Sequence, residues 1–200
     1  MSNILRSLNA EMGDVVAAIR ESLVEVRSVD GDGAGAGTVW HSEGLVLTNS
    51  HVVQHRRVEV VLNDGTRHRA RIVAEDAQLD IAALSIDAVG LTPAPLGESR
   101  DLKPGQLVFA AGHPWGVERA VATGVVIAVS EHRPAFNPTR REMIAIGLDL
   151  RPGNSGGPLA DAQGRLVGIN TMLTGPSVGL AVPVHVVKRF LKYALGSRAA

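Results

Sequence analysis

A serine flanked by glycines is the clearest sign of chemistry in this chain. Ser155 lies in the run from Arg151 to Leu159, with Gly153 before it and Gly156 after it. Such a tight loop can point the serine hydroxyl outward and aim the amide N–H groups of Gly153 and Ser155 at one spot, as an oxyanion hole does. A glycine-rich hairpin without any catalytic role fits the loop alone nearly as well. The choice between the two interpretations depends on whether other residues of the chain could act with the serine.

Two further polar residues stand beside apolar strands, at positions suited to serve Ser155. His51 comes soon after the apolar segment 45–47, where the chain turns, and Asp80 precedes the apolar segment 81–84, where a carboxylate could be buried. Taken singly, His51 fits an ordinary edge or core histidine and Asp80 fits a turn cap. Together, the order His, Asp, Ser is one of the known chain orders of a hydrolytic triad.

The glycine-flanked serine also fits the nucleophile elbow of α/β hydrolases. In that interpretation Asp161 and His185 would complete the triad, because they follow Ser155 in the required order. However, Pro158 and a turn follow the serine where an elbow requires a helix. Too little chain remains for the rest of that fold, so we set this interpretation aside.

Metal and cofactor motifs are incomplete. His51 and His55 are four residues apart, but the segment lacks the glutamate of a metalloprotease helix and an evident third ligand. Asp30 begins a calcium-like loop whose twelfth residue is His41 in place of a bidentate glutamate. The glycines of segment 31–36 loosely fit a dinucleotide fingerprint, but strands are predicted after them where a helix is required. We predict neither a metal nor an organic cofactor.

Composition narrows the classes of partner. The chain has no cysteine, which excludes disulfides, thiolate metal sites and a cysteine nucleophile. Lys plus Arg and Asp plus Glu both number 20, so no net charge draws the protein to nucleic acid or to an anionic membrane. Arg67, Arg69 and Arg71 alternate, which indicates a solvated hairpin face because no aromatic residues lie between them to stack bases. We predict no nucleic-acid partner.

The elements that must position these residues are mostly strands. Valine outnumbers leucine, which favours β structure, and apolar residues recur with a period of two between turns. Spacings of three and four from Leu8 to Leu23 predict an N-terminal helix, and those from Val184 to Leu195 predict a C-terminal one. A single domain, 1–200, is predicted, with a helix at about 8–21, strands at about 22–90, a connector at about 91–105, strands at about 106–183 and a helix at about 184–195.

In their order along the chain, these motifs resemble the protease domain of the HtrA/Deg family of trypsin-like serine proteases. The blocks that carry the resemblance are Gly35–Thr38 with Leu47–Val53, Asp80–Leu84, Ala111–Gly116, Gly153–Leu159 and Gly179–Pro183. The resemblance implies two six-stranded antiparallel β-barrels of the chymotrypsin type, with the active site in the cleft between them.

The resemblance also assigns roles to the residues. His51, Asp80 and Ser155 would form the triad, and the N–H groups of Gly153 and Ser155 the oxyanion hole. The implied activity is that of a serine endopeptidase, which hydrolyses unfolded or flexible polypeptides through an acyl-enzyme in protein quality control. The alternative is a catalytically silent, chaperone-like protein of the same fold that holds extended peptides.

The chain departs from the family pattern near the primary specificity pocket. Arg151 stands where the family usually has Asn, and segment 146–149 replaces a Thr-Asp-Ala-Ala stretch. Leu150, with the Met172 segment opposite, would give the apolar pocket typical of the family. Asp149 could instead reach the pocket floor and favour a basic residue, or lie at the rim and pair with an arginine.

Assembly and location are expectations of the same kind. The chain ends soon after the second helix, which leaves no room for the PDZ domain of the family. Family members usually form trimers, so a homotrimer is possible, in which the N-terminal helix would serve assembly or pack on its own barrel. No export signal or transmembrane segment is evident, which favours the cytoplasm if Met1 is the natural start, and the periplasm or secretion if the chain is truncated.

Overall fold

Twelve strands and two α-helices make up the computed structural model, which describes residues 3–29, 33–54, 57–132, 141–175 and 177–196. The helices are Asn3–Glu21 (α1) and Val184–Leu195 (α2). The strands are Leu23–Ser28 (β1), Ala34–His41 (β2), Leu45–Thr48 (β3), Val58–Val61 (β4), Arg67–Asp76 (β5), Ile81–Ser85 (β6), Leu107–Gly112 (β7), Ala120–His132 (β8), Arg141–Ile146 (β9), Pro158–Asp161 (β10), Leu166–Gly175 (β11) and Val178–Pro183 (β12).

The strands form two closed antiparallel barrels of six strands each. The first barrel has the order β1-β2-β3-β6-β5-β4, and the second has the order β10-β11-β12-β9-β8-β7. In the first barrel, β1 and β4 close the sheet, and their alternate valines, such as Val26 and Val60, are fully buried. Alternation of this kind places one face of each strand in the core. The predicted fold class, two six-stranded barrels with a helix at each end, is confirmed.

The second barrel differs from the sequence-based prediction at two strands. The apolar residues from Met143 to Leu150 predict one continuous strand, but β9 ends at Ile146, because the chain then turns through local bonds from Leu148 N to Ile146 O and from Leu150 N to Leu148 O. Strand β10 was not predicted, since it has only four residues and begins with a proline. Proline is tolerated at the first residue of a strand, where its missing N–H breaks no ladder.

Helix α1 begins earlier than predicted, at Asn3 and not near residue 8, and it packs on the barrels through its second half. Met12, Val15, Val16 and Ile19 pack against a cluster that includes Phe109 of β7. Ile4, Leu5 and Leu8 remain exposed. The prediction counted only the apolar stripe, whereas residues 3–7 continue the helix without being buried. Neither helix in the described part of the chain contains an apolar stretch long enough to cross a membrane.

Helix α2 covers the junction between the two barrels. Its buried residues Val187, Phe190 and Leu191 belong to one core cluster with Leu47 of the first barrel and Ile169 of the second. Because both barrels contribute to this cluster, their relative position is held by apolar burial as well as by hydrogen bonds. The candidate residues on the two barrels can therefore meet across a stable boundary.

Candidate active site

His51 and Asp80 meet at one edge of the first barrel. His51 lies in the short 3-10 helix Ser50–Val53 that follows β3, and Asp80 immediately precedes β6. His51 Nδ1 is 2.9 Å from Asp80 Oδ2, and the His51 backbone N–H donates to Asp80 Oδ1 over 3.1 Å. Since Nδ1 faces the carboxylate, Nε2 is the ring nitrogen that remains for another partner.

The backbone at Asp80 is held in an uncommon conformation. Its φ is +58°, a left-handed value that asparagine and aspartate tolerate better than most residues. The Asn49 side chain donates to the Asp80 carbonyl over 2.8 Å, and Asp80 is only 6% exposed. These contacts keep the carboxylate under the imidazole of His51.

Thr171 of the second barrel completes the surroundings of the carboxylate, and sequence analysis missed it. Its hydroxyl donates to Asp80 Oδ2 over 2.5 Å. Burial raises the pKa of Asp80, but the hydrogen bond and charge of His51, together with the bond from Thr171, outweigh burial and hold that pKa below its usual value. Asp80 is therefore a carboxylate at neutral pH. The only available sequence signal for Thr171 was a polar residue two positions after the apolar segment 166–169.

Arg141 is a second residue that sequence analysis missed. It begins β9 of the second barrel, is 7% exposed, and donates from Nη1 to the carbonyl of Gln78, two residues before Asp80. Burial lowers the pKa of Arg141, while the charges of Asp80 and Asp76 oppose that shift. A buried cation thus supports the turn that carries Asp80, from the opposite barrel.

Ser155 lies on a loop that both barrels hold. Its carbonyl accepts from Ala36 N–H of the first barrel over 2.8 Å, and Gly156 N–H donates to Asn170 of the second barrel over 2.9 Å. Gly156 has φ +87°, and a Cβ there would lie 2.1 Å from the Ala36 carbonyl oxygen. Only glycine permits this close approach, which explains why the serine is followed by one.

Two amide donors are free beside the serine. The carbonyls that precede them are turned away, because Pro152 O accepts from Trp115 N–H over 3.2 Å and Asn154 O accepts from Gly157 N–H over 3.0 Å. In a trans peptide the N–H points opposite to the carbonyl. The N–H groups of Gly153 and Ser155 have no acceptor within the described ranges, so both are available to an incoming carbonyl oxygen.

The Ser155 hydroxyl points to Thr171. It donates to the Thr171 carbonyl over 2.7 Å, and no hydrogen bond joins it to His51 in the part of the chain that the structure describes. Thr171 therefore contacts both Asp80 and Ser155, through its side chain and its carbonyl. The structure thus links Ser155 to Asp80 through Thr171, and Asp80 to His51 directly.

The structure describes the side chains of two of the three predicted specificity residues, Leu150 and Asp149. Leu150 is buried and lies against Gly179, where a Cβ would be 2.8 Å from Leu150 Cγ. Asp149 is partly exposed, and its carboxylate is 3.1 Å from Nη2 of Arg151. Met172 belongs to β11, but its side chain is outside the described part of the structure. Of the two predicted alternatives for Asp149, the structure therefore shows the pairing with an arginine.

Asp161 and His185, the partners of Ser155 in the rejected hydrolase elbow, bond to other residues. Asp161 pairs with Arg165 at 2.8 Å, and His185 Nδ1 is 2.8 Å from the hydroxyl of Ser99. Neither contacts Ser155. Asp30 and His55, from the rejected metal patterns, lie outside the described residues.

Comparison with known proteins identifies the family of this chain. Residues 35–169 match the family of the trypsin-like peptidase domain. This segment contains His51, Asp80 and Ser155 and covers more than half of the chain. The chain belongs to the trypsin-like peptidase family.

Within this family, the similar proteins are HtrA/Deg serine proteases. Protease Do-like 1, chloroplastic, from Arabidopsis thaliana is 39% identical over 165 residues, which cover 78% of this chain and 38% of that protein. Serine protease HTRA1 from Xenopus tropicalis is 36% identical over 162 residues, which cover 79% of this chain and 35% of that protein. The chain thus spans little more than a third of the length of these relatives.

Solved structures of proteases share the fold of this chain. The HtrA-type protease AlgW with a tripeptide superposes with a TM-score of 0.84 and 28% identity, over 93% of this chain and 64% of that one. The serine endoprotease from Yersinia pestis gives a TM-score of 0.81 and 27% identity, over 94% of this chain and 67% of that one. The resemblance to the HtrA/Deg family is confirmed.

Proposed function

We propose that this protein is a serine endopeptidase in which His51, Asp80 and Ser155 act as the catalytic triad. The observation that carries the proposal is the double contact between Asp80 and His51, at the Nδ1 atom and at the backbone N–H. This contact holds the tautomer that leaves His51 Nε2 free to accept a proton. The free N–H groups of Gly153 and Ser155 support the same proposal, because they suit a developing oxyanion.

The first step in the proposed reaction is a rotation of the Ser155 side chain. The hydroxyl leaves the Thr171 carbonyl, which it bonds in the structure, and turns to His51 Nε2. Staggered rotamers of serine differ little in energy, and catalytic hydrogen bonds often form only when substrate is bound. An extended substrate segment entering the cleft would compete for the Thr171 region and favour this rotation.

Acyl transfer then follows. His51 Nε2 takes the proton as Ser155 Oγ attacks the peptide carbonyl carbon, and the N–H groups of Gly153 and Ser155 bind the negative oxygen. Protonated His51 gives its proton to the leaving amine, which breaks the peptide bond and leaves Ser155 acylated. Water, deprotonated by His51, attacks the ester and regenerates Ser155. Asp80 remains ionised throughout and stabilises the imidazolium.

We propose unfolded or flexible polypeptides as substrates, as in protein quality control. The buried Leu150 beside Gly179 supports a pocket that takes a small apolar residue before the scissile bond. The pairing of Asp149 with Arg151 argues against a basic residue there, because the carboxylate is already matched by a cation.

A silent peptide-binding protein is the second candidate. The bond from the Ser155 hydroxyl to the Thr171 carbonyl favours it, since the serine has no bond to His51 in this state. In that case the cleft would hold extended peptides without cleaving them.

The assignments of a homotrimer and of a cytoplasmic location also remain proposals. The exposed Ile4, Leu5 and Leu8 of α1 are one surface that could serve assembly.

Labelling of the serine with a fluorophosphonate tests the proposal. We expect one adduct on the wild-type protein by intact mass and none on Ser155→Ala. The matched control is Ser99→Ala, because Ser99 is a fully buried serine bonded to His185 and not to a residue of the proposed triad, so its loss should leave labelling intact. Peptides with Val before the scissile bond should be cleaved faster than peptides with Arg at that position.

Each result separates the two candidates. Labelling that depends on Ser155, with cleavage of the Val peptides, establishes the peptidase. No adduct on folded wild-type protein would overturn the proposal, and tight binding of the uncleaved peptides would then favour the silent protein.

A further inference from the structure

The loop between β7 and β8, residues 113–119, holds the peptide that supplies an oxyanion donor. The N–H of His113 donates to the Gly153 carbonyl over 2.8 Å, and the N–H of Trp115 donates to the Pro152 carbonyl over 3.2 Å. The second bond fixes the plane of the Pro152–Gly153 peptide and so the direction of the Gly153 N–H. If this loop moved, the Gly153 donor would be free to turn away from the site.

The backbone of the 113–119 loop is unfavourable by itself. Trp115 has φ +50° and Arg119 has φ +53°, left-handed values that are unfavourable for non-glycine residues. Such conformations persist only where surrounding contacts hold them. Trp115 is 72% exposed, so burial does not stabilise its conformation, although the Arg151 guanidinium lies 5.3 Å from the centroid of its ring.

The end of α1 anchors the last residue of this loop. Arg20 Nε donates to the Arg119 carbonyl over 2.8 Å, and Arg119 Nη2 donates back to the Arg20 carbonyl over 3.0 Å. The last carbonyls of a helix lack partners within the helix, so Arg20 O offers a strong acceptor to a cationic donor. The N–H of Arg119 also lies 3.4 Å from His113 Nδ1, which links this anchor to the residue that bonds Gly153.

We propose that Arg119 is a positioning residue through which α1 keeps the oxyanion donor of Gly153 in place. The connection runs from Arg20 to Arg119, along the 113–119 loop, and through Trp115 N–H to the Pro152–Gly153 peptide. Arg119 touches neither substrate nor the reacting atoms. Anything that displaces the end of α1 should therefore slow acylation without blocking the substrate cleft. This inference rests on the proposed peptidase function only for its effect on catalysis.

Arg119→Ala tests the proposal, because alanine keeps the same backbone strain and removes only the side-chain anchor. Arg20→Ala removes the partner bond from the helix side, and Arg119→Lys keeps a cationic donor. The control is Arg6→Ala, since Arg6 is an exposed arginine on the same helix, at the end that does not contact the loop. Amide hydrogen exchange at His113 and Trp115 reports the loop bonds, and the rate of fluorophosphonate labelling reports the oxyanion site.

In Arg119→Ala we expect exchange at both amides to quicken by about tenfold or more. Labelling should slow by about ten- to a hundredfold, less than the hundred- to thousandfold typical of a deleted oxyanion donor. KM should change by less than about threefold, while kcat falls with the labelling rate. Arg20→Ala should act in the same direction, Arg119→Lys should recover part of the loss, and Arg6→Ala should match the wild type.

Unchanged exchange in Arg119→Ala and Arg20→Ala would overturn the proposal, as would faster exchange with unchanged labelling. A fall in kcat/KM carried by KM alone would also overturn it. If the wild-type protein is not labelled at all, the peptidase proposal fails, and faster exchange in both variants would still support the hold of α1 on the loop. The two proposals therefore fail by different observations.

Discussion

Among single residues, Thr171 contacts two members of the predicted triad. It donates to Asp80 with its hydroxyl and accepts from Ser155 with its carbonyl. A hydrogen bond to a charged group contributes about 1.5–3 kcal/mol. Part of this energy keeps Asp80 aligned with His51, so loss of the Thr171 hydroxyl should lower kcat.

Thr171→Val should therefore lower kcat by about ten- to a hundredfold, with little change in KM. Valine keeps the shape of threonine and removes the donor, whereas Thr171→Ser restores the hydroxyl and should stay within about threefold of the wild type. Steady-state kinetics on a flexible peptide measures both. Equal turnover in the valine variant and the wild type would remove Thr171 from the catalytic assembly.

Asp80 should also affect stability in a pH-dependent way. Its pKa lies below the ordinary value in the folded protein, so the folded state binds the proton less readily than the unfolded state. The stabilisation is therefore fully present above the unfolded pKa of about 3.9 and is lost as the pH falls through the folded pKa.

Comparison with Asp80→Asn isolates this contribution. Near pH 7 we expect the variant to be less stable by about 1–3 kcal/mol in urea unfolding, because an uncharged amide cannot match the carboxylate as an acceptor for His51 and Thr171. The difference in the free energy of unfolding should shrink below about pH 4. A difference that stays constant from pH 7 to pH 3 would show that the charge of Asp80 is not responsible.

Among the structural elements, the loop that carries Ser155 is tightly constrained. Its backbone passes between the two barrels, and Gly156 lies against both the Ala36 carbonyl and the Thr48 hydroxyl. Two separate costs oppose any side chain there: the left-handed φ and the lack of space. The chain offers a position at which only the first cost applies, because Gly65 has φ +84° and nothing within 4 Å of a Cβ.

Gly65→Ala should destabilise the protein by about 1–2 kcal/mol, from backbone conformation alone. Gly156→Ala should add a further cost of about 1–3 kcal/mol or more, because the neighbouring backbone must move. Thermal and urea unfolding of the two variants give the difference. If both variants lost equal stability, the close packing at Gly156 would not be limiting.

At the level of the whole molecule, the active site depends on how the two barrels meet. His51 and Asp80 belong to the first barrel, whereas Ser155, Thr171 and Arg141 belong to the second. Helix α2 and the shared apolar core hold the barrels together. Arg141 adds a polar contact by donating to the Gln78 carbonyl at the base of the turn that carries Asp80.

Arg141→Met should alter the pH dependence of catalysis, because it removes a cation near the His51–Asp80 pair. Loss of a nearby positive charge favours proton binding by that pair, so the acid limb of kcat/KM should move to higher pH. Arg141→Lys keeps the charge and should move the limb less. The pH profile of peptide cleavage measures this effect, and an unshifted limb in the methionine variant would exclude an electrostatic role.

Much of the architecture was predictable, because it depends on local patterns. Alternate apolar residues in β1 and β4 predict one-sided strands, and glycines around Ser155 predict a tight loop. The chain order of His51, Asp80 and Ser155, within the motifs around them, indicated the HtrA/Deg family. The four-residue strand β10 was missed, because it is too short for its pattern to stand out and begins with proline.

Only the tertiary structure decided which residues surround the triad and where their polar atoms point. Thr171 and Asp80 are 91 positions apart, and Arg141 and Gln78 are 63 apart, so no local pattern links either pair. The direction of the Ser155 hydroxyl and the pairing of Asp149 with Arg151 likewise depend on side-chain rotamers in the folded protein. From the sequence by itself, repeated apolar patterns predicted the strands, and the resemblance of its motifs to the HtrA/Deg family implied the two barrels and the candidate triad, since patterns and motifs are local. Contacts across the barrel boundary exist only once both barrels have formed.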